Sequence, residues 1–301
     1  MSSEPKHISV CICTYKRPPL LKRLLIQMET QETDGLFTFS VVVADNDRGQ
    51  SAKAVVEEIA SRSPMQVFYC VEPRQNIALA RNLAIENASG NFIAFIDDDE
   101  FPIPRWLVKL YTACEEYGVD GVLGPVVPHF EAGTPPWVRR GGFYNRPIYP
   151  KGLRLDWRKG RTGNVLLKRD IIPAGRPAFR EEFRAGEDQD FFRRMVDLGY
   201  RFIWSADAIV YESVPPFRCR RSVMLRRALL RGASAALQPT VGVVNIAKSV
   251  LAIVIYVSAL PVALLLGQHR FMTLLVKLCD HLGKLLALLG INPIKEQYVT
   301  E

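Results

Sequence analysis

The sequence lacks the motifs of several large protein classes. Neither a GxGxxG pattern nor a Walker sequence follows the first predicted strand, which disfavours a dinucleotide dehydrogenase and a P-loop ATPase. None of the six cysteines forms a CxxC pair, so the chain lacks the signature of a structural zinc site or a disulfide framework. We expect buried, reduced thiols, as in a cytoplasmic protein. The polar N-terminus, Met1–His7, is not a signal peptide.

Internal repeats and low-complexity tracts are also absent. Of the 301 residues, 48% are hydrophobic, which is enough for the core of one large domain, or of one domain with an appendage. The net charge of +8 is moderate. No recognisable nucleic-acid-binding motif accompanies this charge, so we expect no nucleic acid among the partners.

Apolar runs and helical stripes alternate through the first hundred residues. Short apolar runs predict strands at Ile8–Cys13, Phe39–Ala44, Val67–Val71 and Phe92–Ile96, and apolar residues recur at helical spacing between them. This alternation predicts an α/β fold, with a mostly parallel sheet that is flanked by helices. In such sheets, ligands bind beyond the carboxyl ends of the strands.

The most informative stretch is Phe92–Ile96 with the four acids that follow it, Asp97–Glu100. Four consecutive carboxylates repel one another and resist desolvation. A divalent cation at the strand end would neutralise them, and a solvated acidic turn is the alternative. Other polar residues follow the first two strands and belong to the same predicted edge of the sheet, namely Thr14, Tyr15, Arg17 and Asp45–Asp47.

Four segments in order resemble motifs of the family 2 glycosyltransferases with the GT-A fold. The nearest resemblance is to the bacterial exopolysaccharide subgroup, the succinoglycan-type glucosyltransferases, and it extends from about Ile8 to Glu212. The segments are the opening Ile8–Arg17, the donor-pocket segment Asn76–Asn82, the DxD motif Asp97–Asp99 and the catalytic segment Gly186–Asp190.

The resemblance implies donor-binding roles for many of these polar residues. The implied set is Thr14, Tyr15, Arg17, Asp45, Asn76, Arg81, Asp97, Asp98 and Asn164. Within it, Asp45 resembles the residue that receives the base, and Arg17 or Arg81 would pair with phosphate. A surface position on a helix is the alternative for Arg81.

A Mn²⁺ or Mg²⁺ cofactor is implied as well. Asp99 would bind the ion directly, and Asp97 would hold the ribose or act through water. Many family members have a His after the strand Ala208–Tyr211 that completes the metal site, whereas this chain has Glu212. Because Glu also supplies an oxygen ligand, we expect Asp99, Asp97 and Glu212 as the metal ligands.

An inverting transfer needs one base that takes the proton of the acceptor hydroxyl. We expect Asp188 to be this base, with Asp190 as the second choice and Glu187 as an orienting neighbour. Mutual repulsion would raise one of their pKa values towards a useful range. The alternative is an ordinary acidic helix start, whose carboxylates cap amides and oppose the macrodipole, and both interpretations can hold together.

The region after the fourth strand is less regular. Apolar spacing predicts a helix over Trp106–Cys114, with Trp106 in the core, and a strand over Val119–Val127. Pro128–Leu155 is rich in Pro, Gly and aromatic residues and predicts a long functional loop. Gly163–Leu167 then predicts another strand.

The C-terminal tail differs in composition. Six arginines and no acid lie between Arg218 and Arg231, and Ser249–Gly267 contains no charged residue. The latter run is a candidate membrane helix that Pro261 would bend, and Phe271–Gly290 predicts an amphipathic helix. The preceding arginines favour the cytoplasmic face of the bacterial inner membrane. A soluble helical pair is the alternative.

We therefore expect a GT-A catalytic domain at 1–215 and a helical membrane-association region at 216–301. The first would comprise a nucleotide-sugar-binding half at 1–127 and an acceptor half at 128–215. The expected reaction moves a sugar, with inversion, from a nucleoside-diphosphate sugar, with a UDP-sugar favoured, to a hydroxyl of a lipid-linked (polyprenyl-diphosphate) oligosaccharide in bacterial polysaccharide biosynthesis. Alternatives are a simple polyprenyl phosphate or protein acceptor, and a non-catalytic nucleotide-binding membrane scaffold.

Overall fold

The structure, a computed structural model, describes residues 6–173, 175–183, 186–236 and 242–291. The chain divides into two compact units. The first comprises Met1–Val127 and Arg146–Glu212, and the second comprises Pro128–Asn145 and Ser213–Glu301. The domain boundaries expected from the sequence are different, because a catalytic domain at 1–215 would include residues 128–145. The expected domains, 1–215 and 216–301, stay predictions.

The first unit is built around a seven-stranded sheet. Its strands are β1 (His7–Thr14), β2 (Thr38–Asp45), β3 (Val67–Val71), β4 (Phe92–Ile96), β6 (Gly121–Leu123), β8 (Asn164–Lys168) and β9 (Phe202–Trp204). The strand order is β3-β2-β1-β4-β8-β6-β9. Strands β1 to β4 pair in parallel, whereas β8 is antiparallel to β4 and β6. The predicted mostly parallel α/β sheet is confirmed.

Helices cover both faces of this sheet, because side chains along a buried strand alternate between its faces. Val10 and Ile12 of β1 share a core with α1 (Pro18–Met28), α2 (Lys53–Arg62) and α4 (Trp106–Tyr117). Cys11 belongs to the other core, with α3 (Ile77–Glu86) and α6 (Glu187–Asp197). Trp106 is fully buried, which confirms its predicted place in the core.

A second, three-stranded sheet was not predicted from the sequence. Its strands are β5 (Glu100–Pro102), β7 (Val126–Phe130) and β10 (Val210–Val214), in the order β5-β10-β7. The prediction of one strand over 119–127 is wrong, because β6 and β7 are separated at Gly124 and Pro125. A Cβ at Gly124 would lie 2.3 Å from the carbonyl oxygen of Ala208, and a proline has no N–H for strand pairing.

The second unit is mainly helical. It contains α5 (Pro136–Gly141), inside the predicted long loop, and then α7 (Arg221–Ala236), α8 (Val243–Leu265) and α9 (Gln268–Leu288). Helices α7 and α9 touch through glycines: a Cβ at Gly232 would lie 1.9 Å from the carbonyl oxygen of Asp280, and one at Gly283 would lie 2.1 Å from that of Leu229. Arg231 and Asp280 form an ion pair at 3.0 Å across the same contact.

Helix α8 has the length and composition of a membrane span. Its segment Val244–Leu265 has a mean hydropathy of 2.1, and only 11% of it is buried within the molecule. Pro261 lies inside the helix, which continues beyond it. The apolar run identified in the sequence is therefore a helix whose side chains are largely exposed.

Candidate active site

The carboxyl ends of the strands bring the predicted polar clusters to one edge of the sheet. In the register of β1 and β2, Thr14 lies opposite Asp45. In the register of β4 and β8, Ile96, directly before the acidic run, lies opposite Asn164. Strand pairing thus assembles residues that are separated by up to 150 positions in the chain, as expected for a ligand site in an α/β sheet.

Tyr15 and Arg17 lie on the tight turn that follows β1. Between them, Lys16 has a φ of 53°, in the left-handed region that non-glycine residues seldom occupy, and its ammonium is 5.3 Å from the centre of the Tyr15 ring. The Arg17 guanidinium lies 3.2 Å from Oδ1 of Asp98 and 3.5 Å from Oδ2 of Asp99. The turn therefore places a cation directly on the acidic run.

Asp98 is buried and bound to the end of β1. The Thr14 hydroxyl donates a hydrogen bond of 2.7 Å to Oδ2 of Asp98. Burial raises the pKa of Asp98 to about 7, although Arg17 opposes this shift. Because the Thr14 hydroxyl and the Asp98 carboxylate are bonded to each other, their main role in this structure is to fix the shape of the site.

The Asp45 carboxylate is fully buried and accepts three hydrogen bonds. The donors are the N–H groups of Asp47 (3.1 Å) and Ala52 (2.9 Å) and the hydroxyl of Tyr69 (2.9 Å). Burial, together with the bond to Asp45, raises the pKa of Tyr69. Asp45 therefore fixes the loop after β2, and a nucleotide base would reach it only through a rearrangement of this network.

Arg81 is buried, which excludes the alternative of a surface helix arginine. Its guanidinium pairs with Glu187 and lies 3.8 Å from Oδ1 of Asp97. Burial lowers the pKa of Arg81, but Glu187 and then Asp97 more than offset this and leave that pKa above its ordinary value. Asn76 holds the start of the same helix, since its side-chain oxygen accepts from the N–H of Ala78 at 2.9 Å.

The predicted catalytic acids begin helix α6, directly after Gly186. Oδ1 of Asp188 accepts a hydrogen bond of 2.8 Å from the N–H of Gln189. Burial, and then repulsion by Glu187, raise the pKa of Asp188 to about 6. A carboxylate with this pKa is deprotonated at neutral pH and is a better proton acceptor than an ordinary aspartate.

Asp190 has a different environment from Asp188. It is buried, and its carboxylate pairs with Arg194 at 2.9 Å, Arg193 at 3.1 Å and Arg180 at 3.3 Å. Three guanidinium groups balance its charge and hold the carboxylate in place. The geometry favours a structural role for Asp190 and leaves Asp188 as the stronger candidate for the base.

The predicted metal ligands belong to a group of carboxylates around Arg146. Glu212 lies opposite Glu100 in the register of β10 and β5, and its Oε2 accepts from Arg146 at 2.6 Å. The Asp97 side chain is 44% exposed, whereas Asp99 and Glu212 are buried. In the part of the chain that the structure describes, no three His, Cys, Asp or Glu side chains are arranged to hold a metal ion.

The chemistry of these carboxylates nevertheless fits a hard cation, which prefers oxygen ligands. Oε1 of Glu100 is buried and has no hydrogen-bond partner among the described residues. Burial, and then the charge of Asp97, raise the pKa of Glu100. Desolvation by the surrounding protein also raises the pKa of the partly exposed Asp97, although Arg81 opposes this shift. Gly163 leaves the space open, because a Cβ there would lie 2.8 Å from that Oε1 and 3.1 Å from Oδ2 of Asp97.

Asn164 is buried and uses its whole amide inside the protein. Its oxygen accepts from the indole N–H of Trp106 at 2.8 Å. Its nitrogen donates to the carbonyl oxygens of Pro125 (2.9 Å) and Ala208 (2.7 Å). This geometry favours a supporting role for Asn164 over the direct donor contact expected from the sequence.

Arg146 was not predicted from the sequence, although its side chain pairs with Glu212. Arg146 follows the Pro- and Gly-rich stretch of the predicted loop, where no periodicity marks a functional residue. The replacement of a metal-binding His by Glu212 was the one available signal, since a buried carboxylate needs a cationic partner.

Comparisons with known proteins agree with this geometry. The family model described as "Glycosyl transferase family 2" matches residues 9–171. The succinoglycan biosynthesis protein ExoM of Rhizobium meliloti (strain 1021) is 37% identical over 237 residues, which cover 77% of this chain and 75% of that protein.

Two solved structures share the fold. The mannosyltransferase PcManGT from Pyrobaculum calidifontis, in complex with GDP-Man and Mn²⁺, gives a TM-score of 0.63 at 18% identity, over 94% of this chain and 88% of that one. S. aureus TarS 1-349 in complex with UDP-GlcNAc gives 0.53 at 20% identity, over 74% of this chain and 66% of that one. The chain spans 39% of the longer TarS chain.

Proposed function

Because the chain belongs to glycosyl transferase family 2, we propose that it transfers a sugar, with inversion, from a nucleoside-diphosphate sugar to a hydroxyl of a lipid-linked oligosaccharide. A polyprenyl diphosphate would carry this acceptor, in bacterial polysaccharide biosynthesis. The observation that carries the proposal is the contrast on helix α6, where Asp188 has a raised pKa of about 6 while Arg81 pairs with the adjacent Glu187.

Asp188 acts as the general base in this proposal. It takes the proton of the acceptor hydroxyl as that oxygen forms a bond to the anomeric carbon of the donor sugar. The bond from this carbon to the diphosphate breaks, and its electron pair leaves with the nucleoside diphosphate. Glu187 and Arg81 hold the start of α6, so they orient Asp188 without receiving the proton.

The donor diphosphate needs positive charge as it departs. Arg17 is 30% exposed and close to the acidic run, which suits it to phosphate. A Mg²⁺ or Mn²⁺ ion, when bound, neutralises charge on the leaving diphosphate, and Asp99, Asp97 and Glu212 are the residues that would hold it. The Mn²⁺ named with the mannosyltransferase supports this choice of ion.

A UDP-sugar is the favoured donor, which the UDP-GlcNAc bound by TarS supports. Tyr15 would line the nucleotide, and Thr14 and Asp45 would support this side of the site through their bonds to Asp98 and to the loop after β2. The pathway is supported by the similarity to ExoM, a succinoglycan biosynthesis protein. The apolar helix α8, with arginines before it in the sequence, supports a place on the cytoplasmic face of the inner membrane.

Transfer measured with Asp188→Asn tests the proposal. The donor would be a radiolabelled UDP-sugar, and the acceptors would be lipid extracts of a polysaccharide-producing bacterium. We expect the rate to fall by about 10²- to 10⁴-fold, the usual contribution of a general base, with UDP binding unchanged. Asp197→Asn, an exposed position near the other end of α6, is the matched control and should keep full activity.

Two other outcomes of this experiment would indicate a different acceptor or a different function. Transfer to a simple polyprenyl phosphate or to protein, lost in the same variant, would keep the chemistry and change the acceptor. Nucleotide binding without turnover, unaffected by Asp188→Asn, would favour a membrane scaffold and contradict the transferase proposal.

A further inference from the structure

A small cavity in the first unit is lined by cations. Its volume is about 40 Å³, and its lining includes Arg146, Arg158, Lys159 and Arg161, with Trp204 beside them. None of the described residues that line it is acidic. A cavity of this composition offers positive charge and hydrogen-bond donors, which are the groups that bind an oxyanion.

Two of these cations form no salt bridge among the described residues. Arg158 pairs with Asp156 at 3.1 Å, and Arg146 pairs with Glu212. In contrast, neither Lys159 nor Arg161 forms an ion pair with any described residue. Desolvation of its guanidinium, and then repulsion by Arg146, lower the pKa of Arg161, and attraction by Asp188 opposes this shift.

Trp204 adds a donor to the same cavity. Its side chain is buried, and its indole N–H has no hydrogen-bond acceptor among the described residues. A buried donor without an acceptor is costly, and buried polar groups are nearly always paired. An acceptor oxygen bound in the cavity would satisfy this group.

The chain path places Arg161 between the candidate base and the acidic run. On one side, Gly160 packs against Phe192 of α6, where a Cβ would come within 2.3 Å of the ring. On the other side, Gly163 packs against Glu100 and Asp97. Arg161 also interacts electrostatically with Asp188. An anion in this cavity would therefore sit beside the place where the acceptor hydroxyl is activated.

We propose that this cavity is an acceptor subsite, in which Lys159, Arg161 and Trp204 bind an oxyanion, a phosphate or a carboxylate, on the accepting sugar itself. The inference rests on the proposed transferase function. An uncharged sugar would leave both cations without a salt bridge, whereas an oxyanion would accept from all three donors. The donor diphosphate carries the same chemistry, so the test must separate these two sources.

Binding of radioactive inorganic phosphate, measured by equilibrium dialysis on the full chain, tests the subsite. One series uses the free protein, and another uses protein saturated with UDP and Mg²⁺, which fill the donor site. We expect phosphate to bind in both series and to bind at least about tenfold more weakly to the double variant Lys159→Gln/Arg161→Gln. Arg62→Gln is the matched control, because Arg62 lies on α2 outside the cavity and pairs with Glu29 at 3.4 Å, and this variant should bind phosphate like the unchanged protein.

Three results would overturn the inference. Binding that disappears when UDP is present would assign the cavity to the donor diphosphate. Binding that persists in the double variant, or no binding to a protein that does bind UDP, would leave the cavity without an anion. If UDP fails to bind while phosphate binding still depends on Lys159 and Arg161, the anion site stands and the transferase proposal, with the acceptor role, fails.

Discussion

At the residue scale, the chemistry depends on how the acids at the start of α6 differ in their surroundings. Glu187 is balanced by Arg81, and Asp190 by three arginines. Asp188 accepts one hydrogen bond from the N–H of Gln189 and has a raised pKa. The same type of side chain thus lies in three different environments, and the proposed base is the one whose charge no arginine side chain among the described residues pairs with directly.

The pH dependence of transfer follows from the pKa of Asp188. The base works only when deprotonated, so activity should be full above a pH of about 6 and fall about tenfold per pH unit below it. In Glu187→Gln, a repelling charge is lost and Arg81 is freed, both of which lower the pKa of Asp188. We therefore expect the acidic limb of kcat/KM to move to lower pH in this variant. An unmoved limb would show that another group titrates.

Asp190 should act on stability rather than on the chemical step. Asp190→Asn removes the charge that balances Arg180, Arg193 and Arg194 and leaves them to repel one another. These arginines are partly exposed, so we expect a loss of about 2 kcal/mol, below the cost for a fully buried pair. A lower Tm with a nearly normal kcat in the folded protein is the expected result, and an unchanged Tm with a lost kcat would make Asp190 the base.

Residue chemistry was partly predictable from the sequence. The acidic run was recognised because four consecutive carboxylates after a buried strand repel one another and resist desolvation. Arg146 and Arg161 were not found, since a single arginine in an aperiodic segment carries no pattern. The supporting role of Asn164 could not be predicted from the sequence either. Only the tertiary structure shows that its amide is bonded to Trp106 and to two backbone carbonyl groups.

At the scale of elements, the strands that end at the site were the most predictable. β3 and β4 were predicted with their observed limits, and β1 and β2 within one residue, because their apolar runs are bounded by polar residues. The three residues of β9 and the three-stranded sheet were missed. Short strands bury too few residues to show a period, and their positions depend on pairing partners that are distant in the chain.

The contact between α7 and α9 depends on glycine. Gly283→Val would place side-chain atoms where the Leu229 carbonyl oxygen now lies, so the helices must separate. We expect a loss of about 1–3 kcal/mol, measured as a lower Tm of the detergent-purified protein. Gly242→Ala is the control, since no atom lies within 4 Å of an added Cβ there. Equal Tm values for both variants would contradict the close packing.

At the scale of the whole molecule, α8 should hold the protein on a membrane. Ile255 is exposed near the middle of this helix, and a charge at the centre of a membrane span costs about 2.5–3.5 kcal/mol. Ile255→Arg should therefore move protein from the membrane fraction to the soluble fraction in cell lysates. Ile26→Arg, an exposed isoleucine of α1, is the control. Equal fractionation of both variants would argue against insertion of α8.

The proposed function depends on a metal-assisted sugar-nucleotide site at the edge of the seven-stranded sheet. Its most direct test is the binding of UDP-, GDP-, TDP- and CMP-sugars to the purified protein, with and without Mn²⁺, beside Asp99→Asn. We predict that a UDP-sugar binds in a Mn²⁺-dependent way and that Asp99→Asn abolishes this binding. If no sugar nucleotide binds under either condition, the acidic run after Ile96 has only a structural role at the end of β4 and the proposed function is wrong.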